Sequence, residues 1–134
     1  KKVAVGRKKV YYYRVNNPNS AMTKFKLKLV TGSIEAQKCI KNNLVNKTTE
    51  LLKACRYANW HTYCDCLNTI IGCKVIKQNK ELYNDIKKVC KKDAKYAIKS
   101  PIPKSDKMKG ILYGISPYLT AKLINKFRKR KFTI

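Results

Sequence analysis

Six cysteines constrain this chain more than any other feature of its sequence, because they decide between a metal site, a redox site and a disulfide framework. They are Cys39, Cys55, Cys64, Cys66, Cys73 and Cys90. Zinc sites and thioredoxin-like redox sites typically contain paired cysteines such as C-x-x-C, a pair that this chain lacks. An even number of cysteines in a small chain therefore favours three disulfides, and we expect no metal and no other cofactor.

The spacing of three of these cysteines fits a helix that is bridged from two sides. Cys66 and Cys73 are separated by about two helical turns, which places them on one face. Cys64 points about 160° away from Cys66. One neighbouring element would then pair with Cys66 and Cys73, and another with Cys64. This geometry leaves the connectivity open.

The chain carries a large excess of positive charge. Its 32 Lys and Arg residues oppose seven Asp and Glu residues, for a formal net charge of +25 at pH 7. A surface this cationic repels itself, so we expect an anionic partner such as nucleic acid, a glycosaminoglycan, polyphosphate or anionic lipid. The acids are scattered and His61 is the only histidine. No apolar run reaches the roughly 18 residues of a membrane span, so we expect no transmembrane segment.

The sequence predicts a single α+β domain over residues 1–134, mainly α. Residues 1–32 are predicted to form a β-hairpin, with a basic arm as the alternative. VYYYRV (10–15) is aromatic and β-branched, and TKFKLKLV (23–30) begins as a strict alternation of Lys and apolar residues. NNPNS (16–20) is a turn cluster between these two predicted strands.

Residues 33–134 are expected to form three to four helices that are cross-linked by the disulfides. Ser33 is predicted to cap the first helix, which would run to about Cys55. The middle of that stretch, residues 41–47, is a weak helix former. A second helix should cover roughly residues 60–76.

Two further helices are indicated more clearly. From Glu81 to Lys99, apolar residues follow one stripe at helical spacing and the lysines lie mostly off it. Ser116-Pro117 predicts the start of the last helix, because a capping residue is followed by proline at the first helical position. The side chains of this last helix that are expected to point inward are Leu119, Leu123, Ile124 and Phe127.

The stretch CDCLNTIIGC (64–73) resembles the second long helix of secreted phospholipases A2, whose C-x-C-x₆-C spacing it shares. His61-Thr62 and the intervening Asp65 look most like the bee-venom type, and the resemblance covers residues 61–92. It implies a phospholipase-like scaffold; the alternative is a generic disulfide-bonded helical protein. The bridges that the resemblance implies are Cys39–Cys73, Cys55–Cys66 and Cys64–Cys90.

The catalytic residues of the resembled family have no counterpart in this chain. The family's catalytic helix carries a Cys-Cys-x-x-His-Asp run, and its calcium loop is rich in glycine near a Trp-Cys-Gly; neither pattern occurs here. His61 lies in the wrong segment to be the catalytic histidine. Hydrolysis in that family needs both a histidine base and a calcium ion. The resemblance therefore implies a catalytically inactive scaffold, and we expect the protein not to be an enzyme.

Two basic clusters are the predicted polyanion-binding sites. The first is a stripe about 18 Å long on the third helix, with a solvated helix face as the alternative. Its members are Lys87, Lys88, Lys91, Lys92, Lys95 and Lys99. The second is the basic end of the chain, whose arginines suit bidentate pairing with phosphate or sulfate; a disordered tail is the alternative. Its members are Lys126, Arg128, Lys129, Arg130 and Lys131.

These features predict a secreted, extracellular, non-enzymatic protein that binds heparin or heparan sulfate, polyphosphate or nucleic acid. Such a protein would suit a salivary or venom inhibitor of clotting or inflammation. Asn46-Lys47-Thr48 is a glycosylation sequon, which fits secretion. The alternative is a membrane-active basic toxin or antimicrobial that acts on anionic membrane surfaces, since residues 115–132 are both basic and apolar. A calcium-dependent lipase and a carrier of a small apolar ligand are further rivals, and the oligomeric state stays open.

Overall fold

The computed structural model describes residues 25–45 and 47–127. Within these residues the chain forms six α-helices and no strand. The helices are α1 (Leu27–Asn42), α2 (Thr49–Gly72), α3 (Lys80–Lys92), α4 (Ala94–Lys99), α5 (Lys104–Ile115) and α6 (Pro117–Phe127). The prediction of an α+β fold is therefore wrong, because the described part of the chain is all helical.

The described part of the predicted second strand, residues 25–30, runs into α1 instead. The first strand and the turn, residues 10–20, lie outside the described residues. Val30 and Ile34 are buried one helical turn apart, whereas Leu29 from the alternating pattern stays largely exposed. Leu and Lys are both good helix formers. The short alternation of lysine and apolar residues therefore does not mark a strand with one buried face. The local structure follows instead from the burial of Val30 and Ile34, which are spaced by one helical turn.

The first predicted helix is interrupted, because α1 ends at Asn42 and α2 begins at Thr49, close to the predicted weak helix former. Thr48 caps α2 by accepting a hydrogen bond from the backbone N–H of Leu51 at 3.3 Å. Ser33 does not cap a helix as predicted. It lies inside α1, where its hydroxyl donates to the carbonyl of Leu29 at 2.7 Å.

Helix α2 is the centre of the fold and packs against α1, α3, α4 and α6. Its buried residues recur at helical spacing, as expected of a helix that faces the core. They include Trp60, Cys64, Leu67 and Ile70. The Trp60 Nε1–H donates to the carbonyl of Cys90 on α3 at 3.0 Å. The Trp60 ring meets the ring of Tyr113 on α5 edge-on, with 5.8 Å between centroids, so one side chain connects three helices.

The predicted third helix, residues 81–99, is in fact two helices that meet at Asp93. Aspartate favours helix ends over helix interiors, and here Asp93 follows the last residue of α3 and precedes the first of α4. Much of the predicted apolar stripe is confirmed as buried. Its buried members are Ile86, Cys90, Ala94 and Ala97. Helix α4 ends before Ser100-Pro101, as the residue preceding a proline disfavours helix.

Helices α4 and α5 approach each other closely at Gly110. A Cβ atom added there would lie 2.9 Å from the Cβ of Ala97 and 3.3 Å from the carbonyl oxygen of Ala94. We expect Gly110→Ala to lower the free energy of unfolding by about 2 kcal/mol, because the helices must shift to admit the methyl group. Urea unfolding followed by circular dichroism measures this change.

Gly32 in α1 provides the matched control for this substitution. A Cβ atom added at Gly32 would meet nothing within 4 Å. Gly32→Ala should therefore raise the free energy of unfolding by about 0.5–1 kcal/mol through the better helix propensity of alanine. A Gly110→Ala protein as stable as the Gly32→Ala protein would show that α4 and α5 do not pack in this way.

Helix α6 begins at Pro117 after Ser116, as predicted, but it is rotated relative to the prediction. The core-facing residues are the small Thr120 and Ala121, with Ile124 partly buried beside them. Three of the four side chains predicted to point inward are instead exposed. They are Leu119, Leu123 and Phe127. Small residues allow α6 to lie close to α2, and this packing leaves the larger apolar side chains outside.

The prediction of three disulfides is also wrong, because none of the six cysteines, all within the described residues, forms a disulfide bond. Cys55 and Cys66 lie on one continuous helix, about 16 Å apart along its axis. A disulfide requires Cα atoms about 4.4–6.8 Å apart, so these two cysteines cannot pair. Cys39 is exposed on α1, whereas Cys73 is buried at the end of α2.

Burial raises the pKa of Cys64, Cys66 and Cys73, which favours the protonated form of these three thiols. Burial raises the pKa of Cys66 to about 12. Burial, together with a hydrogen bond to Cys90, raises the pKa of Cys64 well above its ordinary value.

At pH 8 we expect iodoacetamide to alkylate Cys39, which is exposed, and Cys55, which is half-buried. The other four cysteines are buried and should react only in denaturant. Mass spectrometry of protein that has been kept free of reductant counts the alkylated cysteines. Fewer than six alkylated cysteines in denaturant would contradict the absence of disulfide bonds.

Candidate polyanion-binding face

The six lysines predicted to bind polyanions lie on α3 and α4, and all six are exposed. Lys87, Lys88, Lys91 and Lys92 are on α3, and Lys95 and Lys99 are on α4. Helix α3 buries Ile86 and Cys90. The four α3 lysines occupy an arc of about 140° on the other side of the helix, so the core holds them outward. The structure therefore places this predicted set on two consecutive helices rather than on one.

Tyr96 on α4 brings a further cation to this surface. The guanidinium carbon of Arg56, on α2, lies 5.4 Å from the centroid of the Tyr96 ring. The Lys95 ammonium lies 5.5 Å from the same centroid. Both distances are typical of cation–π contacts. We define the cationic face as the six exposed lysines of α3 and α4 together with Arg56, which is exposed on α2.

Arg56 was missed by the sequence analysis because no local pattern connects it to the lysines. It lies on a different helix from Lys95, and only the packing of α2 against α4 brings the two close together. An isolated arginine in a chain with 32 basic residues carries no signal of its own. The planar guanidinium nevertheless adds a bidentate donor to a surface that otherwise consists of lysine ammonium groups.

Acidic residues offset only part of the charge on this surface. Residues 80–99 contain seven lysines and three acids, for a net charge of +4. Asp85 reaches Lys88 at 3.9 Å, but both side chains are largely exposed, so water and salt weaken their interaction. Lys87 also lies 5.9 Å from the centroid of the Tyr83 ring. The cationic face therefore keeps a positive field that a polyanion can meet.

The remaining predicted site residues are not part of the cationic face. Lys126 is exposed in the last turn of α6, which is a separate element. Asn46 lies outside the described residues, so its glycosylation stays a prediction. The same holds for the basic residues that follow α6, namely Arg128, Lys129, Arg130 and Lys131.

A small, open cleft lies beside the core, between residues of α2, α5 and α6. At this cleft His61 Nδ1 lies 3.4 Å from the Asp65 carboxylate, and Lys109 forms an ion pair with Asp106. These four polar side chains therefore pair with one another across single helical turns. We assign no ligand to this cleft.

Residues 25–45 and 47–127 contain neither a metal-binding cluster nor a membrane-spanning helix. In this part of the chain, no three His, Cys, Asp or Glu side chains come together in a way that could hold a metal ion. Nor does any of its helices combine the length and the apolar character needed to cross a membrane. The cationic face therefore remains the best candidate for a functional site.

No protein-family model, no curated protein and no solved structure matches the chain. The resemblance of residues 61–92 to secreted phospholipases A2 is thus neither supported nor refuted by a relative, and it stays a prediction.

Proposed function

We propose that the protein binds anionic polymers through the cationic face. The observation that carries this proposal is the exposure of six lysines and Arg56 together on consecutive and adjoining helices, held outward by the core. A formal net charge of +25 adds a long-range field that attracts polyanions and speeds their association. Heparin or heparan sulfate, polyphosphate and nucleic acid all present the required charge.

The composition of the face favours recognition of charge density over recognition of sequence. Lysine ammonium groups act as point charges on flexible stems, which suits phosphate and sulfate groups but does not read base edges. Polymers that carry closely spaced charges release counterions when such groups bind them. We therefore expect heparin and polyphosphate to bind at least as tightly as duplex DNA, with an affinity that falls steeply as salt rises.

Chromatography on immobilised heparin tests the proposal, with a duplex-DNA column of matched ligand density beside it. The protein should elute from heparin well above physiological ionic strength, which is about 0.15 M. Elution below that value would contradict the proposal. Much stronger retention on DNA than on heparin would contradict the preference for charge density.

The function proposed here is non-enzymatic. The His61 and Asp65 side chains are each a little under half exposed, with relative exposures of 45% and 43%, so water reaches the pair and screens it. The calcium loop of the resembled family has no counterpart in the sequence. A phospholipid hydrolysis assay with calcium should give no turnover above a buffer blank, and calcium-dependent turnover would overturn this part of the proposal.

A secreted, extracellular location remains part of the proposal, and it rests on fewer grounds than the sequence suggested. The absence of disulfide bonds removes one of them. The sequon at Asn46 and the positive charge remain. In saliva or venom, a protein that masks heparan sulfate or polyphosphate would interfere with clotting or inflammation.

A further inference from the structure

A second surface, on α5, exposes apolar side chains in a regular pattern. Met108, Ile111, Leu112 and Ile115 recur at i, i+3, i+4 and i+7, which places them on one side of the helix. Each is between 43% and 71% exposed. The opposite side of α5 carries the buried Gly110 and Tyr113. The exposed stripe therefore runs along the outside of the fold.

The rotation of α6 extends this pattern. Leu119, Leu123 and Phe127 recur at every fourth position and are 49% to 81% exposed. A single residue, Ser116, separates α5 from α6, so Ile115 at the end of the first stripe and Leu119 at the start of the second are four residues apart in the chain. The seven exposed side chains of the two stripes form the apolar ridge. Exposed apolar surface that continues over two helices is typical of an interaction site.

Positive charge accompanies the apolar ridge on the same two helices. Lys104, Lys122 and Lys126 are exposed there. The acid of residues 104–127 is Asp106, and it forms an ion pair with Lys109. The combination of exposed leucine and isoleucine with exposed lysine is the pattern of helices that lie in a membrane interface.

We propose that the apolar ridge docks on the surface of an anionic lipid bilayer, with α5 and α6 lying along the interface. The apolar side chains would enter the boundary between headgroups and acyl chains, while the long lysine side chains reach back to lipid phosphates. A second copy of the chain fits this surface poorly, since two molecules of charge +25 would repel each other. This surface is separate from the cationic face, and its role does not depend on polymer binding.

Sedimentation with lipid vesicles tests the proposal. Vesicles of phosphatidylcholine alone are compared with vesicles that contain about 30% phosphatidylserine, at about 0.15 M salt. The protein should sediment with the anionic vesicles and remain in solution with the neutral ones. Equal partitioning into both kinds of vesicle, or none into either, would overturn the proposal.

Two matched variants distinguish binding through the apolar ridge from non-specific binding through other exposed apolar residues. The ridge variant replaces Met108, Ile115, Leu119 and Leu123 with serine, and it should bind anionic vesicles at least about tenfold more weakly. The control variant replaces four exposed apolar residues around α1 with serine and should bind like the wild type. Its substitutions are at Leu27, Leu29, Ile40 and Val45. Equal binding by the ridge variant and the wild type would show that charge alone holds the protein to the vesicles.

A fluorescent reporter measures insertion directly. Trp60 is the only tryptophan, so Leu119→Trp in a Trp60→Phe background places a single indole on the apolar ridge. Its emission should shift to shorter wavelength with anionic vesicles and not with heparin. Binding without a shift would overturn the proposal, as would a stable dimer that the ridge variant dissociates and that does not bind vesicles. Replacement of Lys87, Lys88, Lys91 and Lys92 with glutamine should weaken heparin binding by about 100-fold but leave the shift, which separates this proposal from the proposed function.

Discussion

Replacing Trp60 with alanine should lower the free energy of unfolding by about 4 kcal/mol, within the range for removal of a large aromatic side chain from a core. Trp60 is 2% exposed, donates to the carbonyl of Cys90 and packs edge-on against Tyr113. Its removal would leave a cavity where α2, α3 and α5 meet. Urea unfolding followed by circular dichroism measures the loss, because the variant lacks the only tryptophan fluorophore.

Trp60→Phe is the control that divides this effect into its parts. Phenylalanine keeps an aromatic ring in the core but removes the Nε1–H donor and leaves the carbonyl of Cys90 without that hydrogen bond. The expected loss is about 1–2 kcal/mol, clearly smaller than for alanine. A loss below about 1 kcal/mol for Trp60→Ala would contradict the packing described here, since a buried tryptophan cannot be removed so cheaply.

Four substitutions on α3 should weaken heparin binding by about 100-fold at about 0.15 M salt, because each lysine that contacts the polymer contributes to the release of counterions. The face variant replaces Lys87, Lys88, Lys91 and Lys92 with glutamine. All four side chains are exposed, so the fold should be retained, and circular dichroism checks that it is. Titration of a fluorescent heparin oligosaccharide measures the dissociation constant.

The matched control removes the same charge from a different part of the surface. It replaces four exposed lysines on or near α1 with glutamine. They are Lys28, Lys38, Lys41 and Lys47. Its affinity should fall by much less, because it retains the cationic face and loses only long-range attraction. If both variants lose the same affinity, the protein responds to net charge and has no defined binding face.

The sequence predicted correctly those helical features for which its residue pattern allows a single structure. In residues 81–99 the apolar stripe opposes a field of lysines, so burial of Ile86 and Cys90 follows directly. The start of α6 was also predictable, because a proline after serine suits only the first helical position well. In both cases a local constraint and a burial constraint lead to the same structure.

The predictions of local structure were wrong where a helix has two apolar faces that could be buried, or where a segment fits both the strand period and the helical period. Helix α6 contains both Leu119 and Leu123 on one side and Ala121 and Ile124 on the other. Only the fit against α2 decides which pair is buried, and the smaller Ala121 allows the closer approach. Residues 25–29 alternate like a strand, yet the burial of Val30 and Ile34 follows the helical period. In both segments the packing against neighbouring helices decides the structure, and this packing cannot be read from the local sequence.

The candidate site also has one part that the sequence predicted and another part that only the structure revealed. The exposure of the lysines on α3 followed from the helical pattern, because charged side chains avoid the buried face. The contribution of Arg56 did not, since it depends on how α2 crosses α4 at Tyr96. The part of the apolar ridge on α6 was hidden for the same reason, because Leu119, Leu123 and Phe127 are exposed only through the rotation of that helix. Local patterns thus revealed single-helix surfaces, whereas surfaces built from two helices required the structure.

The salt dependence of heparin binding tests the existence of a defined cationic face most directly. The logarithm of the dissociation constant is measured against the logarithm of the salt concentration for the wild type, the face variant and the lysine control. Each lysine that contacts the polymer should contribute roughly 0.7–0.9 to the slope. The face variant should therefore lose about 3 from its slope, and the control should keep the wild-type value. Equal slopes for the two variants would contradict the assignment of binding to α3 and α4.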